Sequence, residues 1–109
     1  MIEKKNFYIN GKWVSPTKPN DFEVINPSTE EAFAIISLGS AEDADKAIKA
    51  ANIAFETWRE TTKEERLALL EKFDEIYKIR WDEMVEAQSK EMGAPLDFAS
   101  ETHTKMGAD

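Results

Sequence analysis

Apolar and polar positions divide the chain into two stretches with different periods. Over residues 1–39 the apolar positions fall in short β-prone runs: Phe7-Tyr8-Ile9, Trp13-Val14, Phe22 with Val24-Ile25, and Ala32 through Leu38. From Ser40 onward they recur every three or four residues, the period of one face of a helix. Ala44, Ala47, Ile48, Ala51, Phe55 and Trp58 make one such stripe. Leu67, Leu70, Phe73, Ile76 and Tyr77, widened by Leu69, make the next. The pattern predicts an α+β chain: a strand-rich segment over 1–39, then three to four helices over 40–109.

Turn and cap residues place the boundaries. Asn10-Gly11 stands between Phe7-Tyr8-Ile9 and Lys12-Trp13-Val14. A type I′ hairpin turn needs positive φ at both central positions, which Asn-Gly tolerates best. Pro16 and Pro19 mark a loop over 15–20, and Asn26-Pro27-Ser28-Thr29 reads as a turn. Ser40 with Asp43, and Thr62 with Glu65, have capping-box spacing. They open helices expected to reach about Arg59 and about Ile79. Asp82 is expected to cap a third helix carrying Met84, Val85 and Met92, which Gly93 and Pro95 end. A fourth begins near Leu96, with Phe98, Thr102 and Met106 near one face. Its pattern still runs at Asp109, so 1–39 and 40–109 are expected to form one incomplete domain.

Composition excludes several kinds of chemistry. There is no cysteine, so disulfides, cysteine metal sites and a cysteine nucleophile are absent. The net charge of −8 disfavours nucleic acid and anionic membrane as partners. The charge is uneven, since residues 1–20 carry four lysines against the single acid Glu3. No apolar run approaches the roughly 20 residues of a membrane helix, and Met1-Ile2-Glu3-Lys4-Lys5 does not resemble a signal peptide. A cytoplasmic location is the expectation.

No residue set in the sequence makes a catalytic, cofactor or metal site. His103, the one histidine, has no partner suited to a metal site or a nucleophile and reads as a surface helix position. Glu64-Glu65 and Glu83 with Glu86 read as helix-solvating acids. The glycines at 11, 39, 93 and 107 are isolated, without a dinucleotide or phosphate-loop fingerprint. The serines at 15, 28, 37, 40, 89 and 100 lack a nucleophile-elbow motif. Phe55 and Trp58 sit on the helical stripe and are expected to pack rather than line a ligand pocket.

Five segments, in order, resemble the aldehyde dehydrogenase family. Phe7-Tyr8-Ile9-Asn10-Gly11-Lys12-Trp13-Val14 is similar to the family's opening hairpin. Asn26-Pro27-Ser28-Thr29-Glu30-Glu31 resembles its Asn-Pro-x-Thr-Gly-Glu turn, with Glu30 where many members carry glycine. Ser40-Ala41-Glu42-Asp43-Ala44-Asp45-Lys46-Ala47 resembles the start of its first helix. Ala51 through Phe55 with Trp58, then Glu65-Arg66 with Leu69-Leu70, resemble the helix pair that follows. Glu91-Met92-Gly93-Ala94-Pro95 resembles its Glu-x-Gly-Lys-Pro corner, with Ala94 in place of lysine.

The resemblance implies an α/β enzyme several times longer, in which a cysteine thiolate attacks an aldehyde and hydride passes to NAD or NADP. A glutamate then helps water release the carboxylate. The groups that do this lie outside the stretch that matches residues 1–109, so no catalytic or cofactor residue carries over. Some members hold a structural cation near positions that match the Ile25 carbonyl and Glu91, two ligands too few alone for a hard cation. The chain alone is expected to be inactive, to bind no cofactor, and to self-associate or be partly molten through its uncovered helix face. Its expected partner is the remainder of a dehydrogenase. Alternatively it is a non-catalytic assembly module that docks on a full-length subunit. Neither the aldehyde nor the choice between NAD and NADP can be read.

Overall fold

The computed structural model of the chain describes all of residues 1–109. They group into two compact units, Met1–Ile25 with Ala32–Thr61, and Asn26–Glu31 with Thr62–Asp109.

The first unit is built on β1 (Ile2–Lys4), β2 (Phe7–Ile9), β3 (Lys12–Val14), β4 (Asp21–Asn26), β5 (Glu31–Ser37) and α1 (Ala41–Trp58). The hairpin forms as the Asn-Gly signal predicts. β2 and β3 pair antiparallel, with Phe7 opposite Val14, Tyr8 opposite Trp13 and Ile9 opposite Lys12. Asn10 and Gly11 take φ of 53° and 73°, as a type I′ turn requires. The rings of Tyr8 and Trp13 meet edge-on, with centroids 5.3 Å apart, a cross-strand contact that fixes this register.

In the other sheet β5 is central, between β1 and β4. β1 runs parallel to β5, with Ile2 opposite Ala34 and Lys4 opposite Ile36. The hydrophobic pattern does not announce β1, whose only apolar residue is Ile2. Its strand character comes from backbone pairing with a distant segment, not from local propensity. Ala34 and Ser37 of β5 are among the few buried residues of the chain.

α1 begins with the expected capping box. The Ser40 hydroxyl accepts from the Asp43 backbone N–H, and the Asp43 carboxylate accepts from the Ser40 backbone N–H. The helix packs against β2.

The second unit holds the 26–31 turn and the remaining helices. α2 (Lys63–Ile79) opens on the expected Thr62–Glu65 capping box. α3 (Trp81–Met92) follows after one residue. Here the expected Asp82 cap is corrected: Arg80 is the N-cap residue, and no side chain caps it. With a single residue between two helices, the extended N-cap backbone that a side-chain cap requires cannot form. Asp82 lies instead in the first turn of α3, where its charge suits the helix N-terminus. Gly93 ends α3 with φ 70°, and a Cβ there would lie 3.0 Å from Pro27 Cγ.

The fourth helical stretch is not uniform. α4 (Leu96–Phe98) passes into a π-helical segment, Ala99–Thr104, and returns to α geometry in α5 (Lys105–Ala108). Spacing of apolar residues cannot distinguish one wide turn from ordinary helix, so this feature was not expected. Ala99 and Thr104 at its two ends are fully buried, and Val85 of α3 is nearly so.

These cores are small. The chain exposes 8687 Å² for a mass of 12.4 kDa. Even two separate folded bodies of half that mass would expose only roughly 7,400 Å².

Candidate functional site

The surface that stands out is the apolar face of α1. Ala51, Ala54, Phe55, Thr57 and Trp58, with Thr61 beyond the helix end, line an open depression of about 520 Å³. A second depression, of about 290 Å³, lies where Tyr8, Ile9, Asn10 and Gly11 of the hairpin face Ala47, Ala50, Ala51 and Ala54. The two share Ala51 and Ala54, and no titratable acid or base lines the first. Alanines at these positions keep the helix surface low, so another backbone element can approach closely. Phe55 is 54% exposed and Trp58 43% exposed. About half of each side chain therefore stays uncovered within this chain.

α2 repeats the pattern. None of its residues is buried, and Leu70 and Phe73 remain 65% and 64% exposed. Amphipathic helices draw most of their stability from burying such a face, so both helices present surface suited to a further layer of protein.

The strongest polar cluster of the first unit is structural. Asp43 is buried at the start of α1. Its Oδ1 accepts from the Thr17 backbone N–H at 2.9 Å and the Thr17 hydroxyl at 2.8 Å. Its Oδ2 accepts from the Ser40 N–H at 3.0 Å and the Ser40 hydroxyl at 2.9 Å. These donors, the Ser40 backbone first and then Thr17, hold the carboxyl well below the usual aspartate range. Lys46 Nζ donates to the Thr17 hydroxyl at 2.9 Å. The cluster pins the proline-containing loop to the helix.

In the second unit a polar layer lies beside the π segment. Tyr77 donates to the Thr104 carbonyl at 2.9 Å, Trp81 Nε1 to the Ser100 hydroxyl at 3.0 Å, and the Thr104 hydroxyl to Gln88 Oε1 at 3.3 Å. From the sequence, Tyr77 reads only as part of an apolar stripe and Ser100 only as a serine outside any motif, and neither as part of a polar layer. Thr104 and Gln88 are separated by 16 positions, and only the helix pairing brings them together.

His103 lies in this segment and not on an open helix surface, which corrects the sequence expectation. It is partly buried, its ring meets Phe98 edge-on at 4.9 Å, and its Nδ1 is closed off from solvent without a hydrogen-bond partner.

Three of the four acids read as helix-solvating, Glu65, Glu83 and Glu86, have structural partners. Glu65 completes the Thr62 cap, accepting from its N–H at 2.7 Å, and that bond lowers its pKa. Glu83 pairs with Arg80 through two contacts, at 3.1 and 2.7 Å, and the guanidinium lowers its pKa too. Glu86 pairs with Lys90 one turn on, at 2.5 Å. No three side chains among His, Asp and Glu gather as a metal-binding set. Of the two positions weighed for a cation, Ile25 belongs to the first unit and Glu91 to the second.

Nor do the residues present fit a dinucleotide. A pyrophosphate favours a free helix N-terminus after a glycine-rich turn. The N-termini of both long helices are already occupied by their own carboxylates, Asp43 and Glu65, which would repel it.

Comparison with known proteins gives this architecture a context. The family model described as "Aldehyde dehydrogenase family" matches residues 13–109. A 3-succinoylsemialdehyde-pyridine dehydrogenase of a Pseudomonas species is 45% identical over 96 residues, covering 88% of this chain and 20% of that protein. The crystal structure of an aldehyde dehydrogenase from Bartonella henselae superposes with a TM-score of 0.97 at 54% identity, covering 99% of this chain and 23% of that one. An aldehyde dehydrogenase of Pseudomonas syringae, solved with NAD+ and octanal, superposes with a TM-score of 0.93 at 38% identity, over 95% of this chain and 21% of its own. The chain thus spans about a fifth of the length of these relatives and corresponds to their N-terminal portion.

Proposed function

The chain belongs to the aldehyde dehydrogenase family, and on that premise we propose that it supplies the N-terminal portion of an NAD(P)-dependent enzyme oxidising an aldehyde to a carboxylate. Its contribution is architectural. The hairpin, the three-stranded sheet and α1 present a preformed surface, and the cofactor and the reacting cysteine are supplied by the remainder of a dehydrogenase. The observation that carries this reading is the open alanine and aromatic face of α1, a surface shaped for a protein layer and lacking the groups for chemistry. A cytoplasmic location accompanies the reading, because the reaction draws on the nicotinamide pool.

The test is complementation. The purified 109-residue chain is assayed with NAD or NADP and a panel of aldehydes, alone and with a relative's dehydrogenase that lacks the matching N-terminal portion. The chain alone is expected to reduce no cofactor, and the mixture to co-elute and to gain activity. Cofactor reduction by the chain alone, or failure of the two to associate, would overturn the reading.

A further inference from the structure

We propose that the Asn10-Gly11 turn is a site of spontaneous covalent modification, in which the Asn10 side chain cyclises onto the Gly11 backbone nitrogen and releases ammonia. Three observations converge there. Asn10 and Gly11 are both solvent-exposed. The Gly11 N–H makes no backbone hydrogen bond, and the Asn10 carboxamide has no partner either, so neither reacting group must first be released. Finally, a Cβ placed on Gly11 would meet nothing within 4 Å beyond its chain neighbours, so no other segment crowds the turn.

The step balances without an added reagent other than water. The Gly11 nitrogen attacks Asn10 Cγ, the N–Cγ bond forms and the Cγ–Nδ2 bond breaks. The Gly11 amide proton leaves with the departing nitrogen as ammonia. Water then opens the five-membered imide at either carbonyl, giving aspartate or, with the chain rerouted through the side chain, isoaspartate. Ring closure requires Asn10 to leave its left-handed conformation, φ 53°. β2 and β3 are only three residues each, so opening of the turn end breaks few hydrogen bonds even with β2 held against α1.

The other asparagines lack the combination. Asn6 precedes the bulky Phe7. Asn20 precedes Asp21, the first residue of β4. Asn26 precedes Pro27, which has no N–H, and its Oδ1 is engaged by the Ser28 N–H at 2.9 Å. Asn52 precedes the β-branched Ile53 within α1, where the amide is held in the helix.

Both products add a negative charge beside the alanine depression that Asn10 and Gly11 help line. Isoaspartate also adds a backbone methylene to the turn. A two-residue connection cannot absorb it while Phe7 stays opposite Val14.

The full chain is held at mildly alkaline pH and sampled over time. Each sample is digested with trypsin and the peptide 6–12 fragmented in the mass spectrometer, with a zero-time sample as the handling control. Asn10 is expected to convert severalfold faster than Asn6 in the same peptide and than Asn20 and Asn52 elsewhere, giving both aspartate and isoaspartate. The acidic species that accumulates on ion exchange is expected to vanish in Asn10→Gln, whose longer side chain closes a six-membered ring far more slowly. Conversion of Asn10 no faster than Asn6, or an undiminished acidic species in Asn10→Gln, would overturn the proposal.

Discussion

The phenol of Tyr77, near the end of α2, donates a 2.9 Å hydrogen bond to the carbonyl oxygen of Thr104, the last residue of the π-helical segment. Gly107 lies under the same ring, where a Cβ would collide with the phenol oxygen. Thr104 is fully buried. That carbonyl, at the N-cap of α5, keeps its helix partner, so the loss is that of one hydrogen bond, about 1 kcal/mol. Tyr77→Phe is therefore expected to lower the unfolding free energy by that amount, read as a lower denaturant midpoint, while keeping the ring contact with Trp81, 5.9 Å between centroids. Urea titration followed by tryptophan fluorescence checks this, and an unchanged midpoint would show that the bond contributes nothing net.

The Asp43 cluster makes stability depend on acid. Its carboxyl is held well below the ordinary aspartate value of 3.8, so in acid the unfolded chain binds the proton and the folded chain does not. The stabilisation is complete above pH 3.8 and is lost as pH falls below it toward the depressed folded value. Glu65, lowered from 4.5 by the Thr62 backbone bond, acts in the same direction. Unfolding midpoints measured from neutral pH downward are expected to fall steeply below about pH 4. In Asp43→Asn the midpoint should be lower at neutral pH, because the amide nitrogen would face the donors of either Ser40 or Thr17, and the acid-dependent slope should be shallower.

A third expectation concerns the 26–31 turn. Glu30 adopts φ 60°, a conformation that favours glycine. A left-handed non-glycine residue costs roughly 1–2 kcal/mol, and glycine gives back roughly 0.5–1 kcal/mol through its freer unfolded chain. Glu30→Gly should therefore stabilise the protein by about 0.5–1 kcal/mol. The turn's hydrogen bond from the Glu30 N–H to the Asn26 carbonyl, 2.8 Å, is retained. Thermal unfolding of the variant beside the parent reads the difference, and a lower midpoint would place the strain elsewhere.

Local signals were legible where one residue type fixes one backbone state. Asn10-Gly11 specified the hairpin, and Ser40 with Asp43 and Thr62 with Glu65 specified two helix starts, because each rests on groups three residues apart or fewer. Features that depend on distant partners were not legible. β1 is a strand because β5 lies beside it, and the π segment lies against α3, a pairing that no local spacing reveals. Asp82 shows a local signal overruled, since the close succession of α2 and α3 moved it from cap to first turn. The α1 stripe was read correctly as a face, but a sequence pattern gives the face and not what covers it. That separates the packing expected of Phe55 and Trp58 from their observed exposure.

The exposed faces lead to the last expectation. Ile53 is 75% exposed, and Phe55, Leu70 and Phe73 are each more than half exposed. Apolar patches of this kind drive association when no intended partner is present. The purified chain is expected to show a weight-average mass that rises with concentration in sedimentation velocity, and to bind a hydrophobic dye. Phe55→Glu and Phe73→Glu test the two helices separately. Both side chains are more than half exposed, and circular dichroism at each concentration confirms that the variants keep the parent's helix content. A fall in association with either variant therefore reports the surface and not unfolding. Addition of the complementary dehydrogenase portion should suppress association in the parent, since it competes for the same α1 face. A concentration-independent monomer with a sharp, cooperative thermal transition would mean that the chain closes its own apolar surface in solution, and the α1 face would no longer support a partner-binding role.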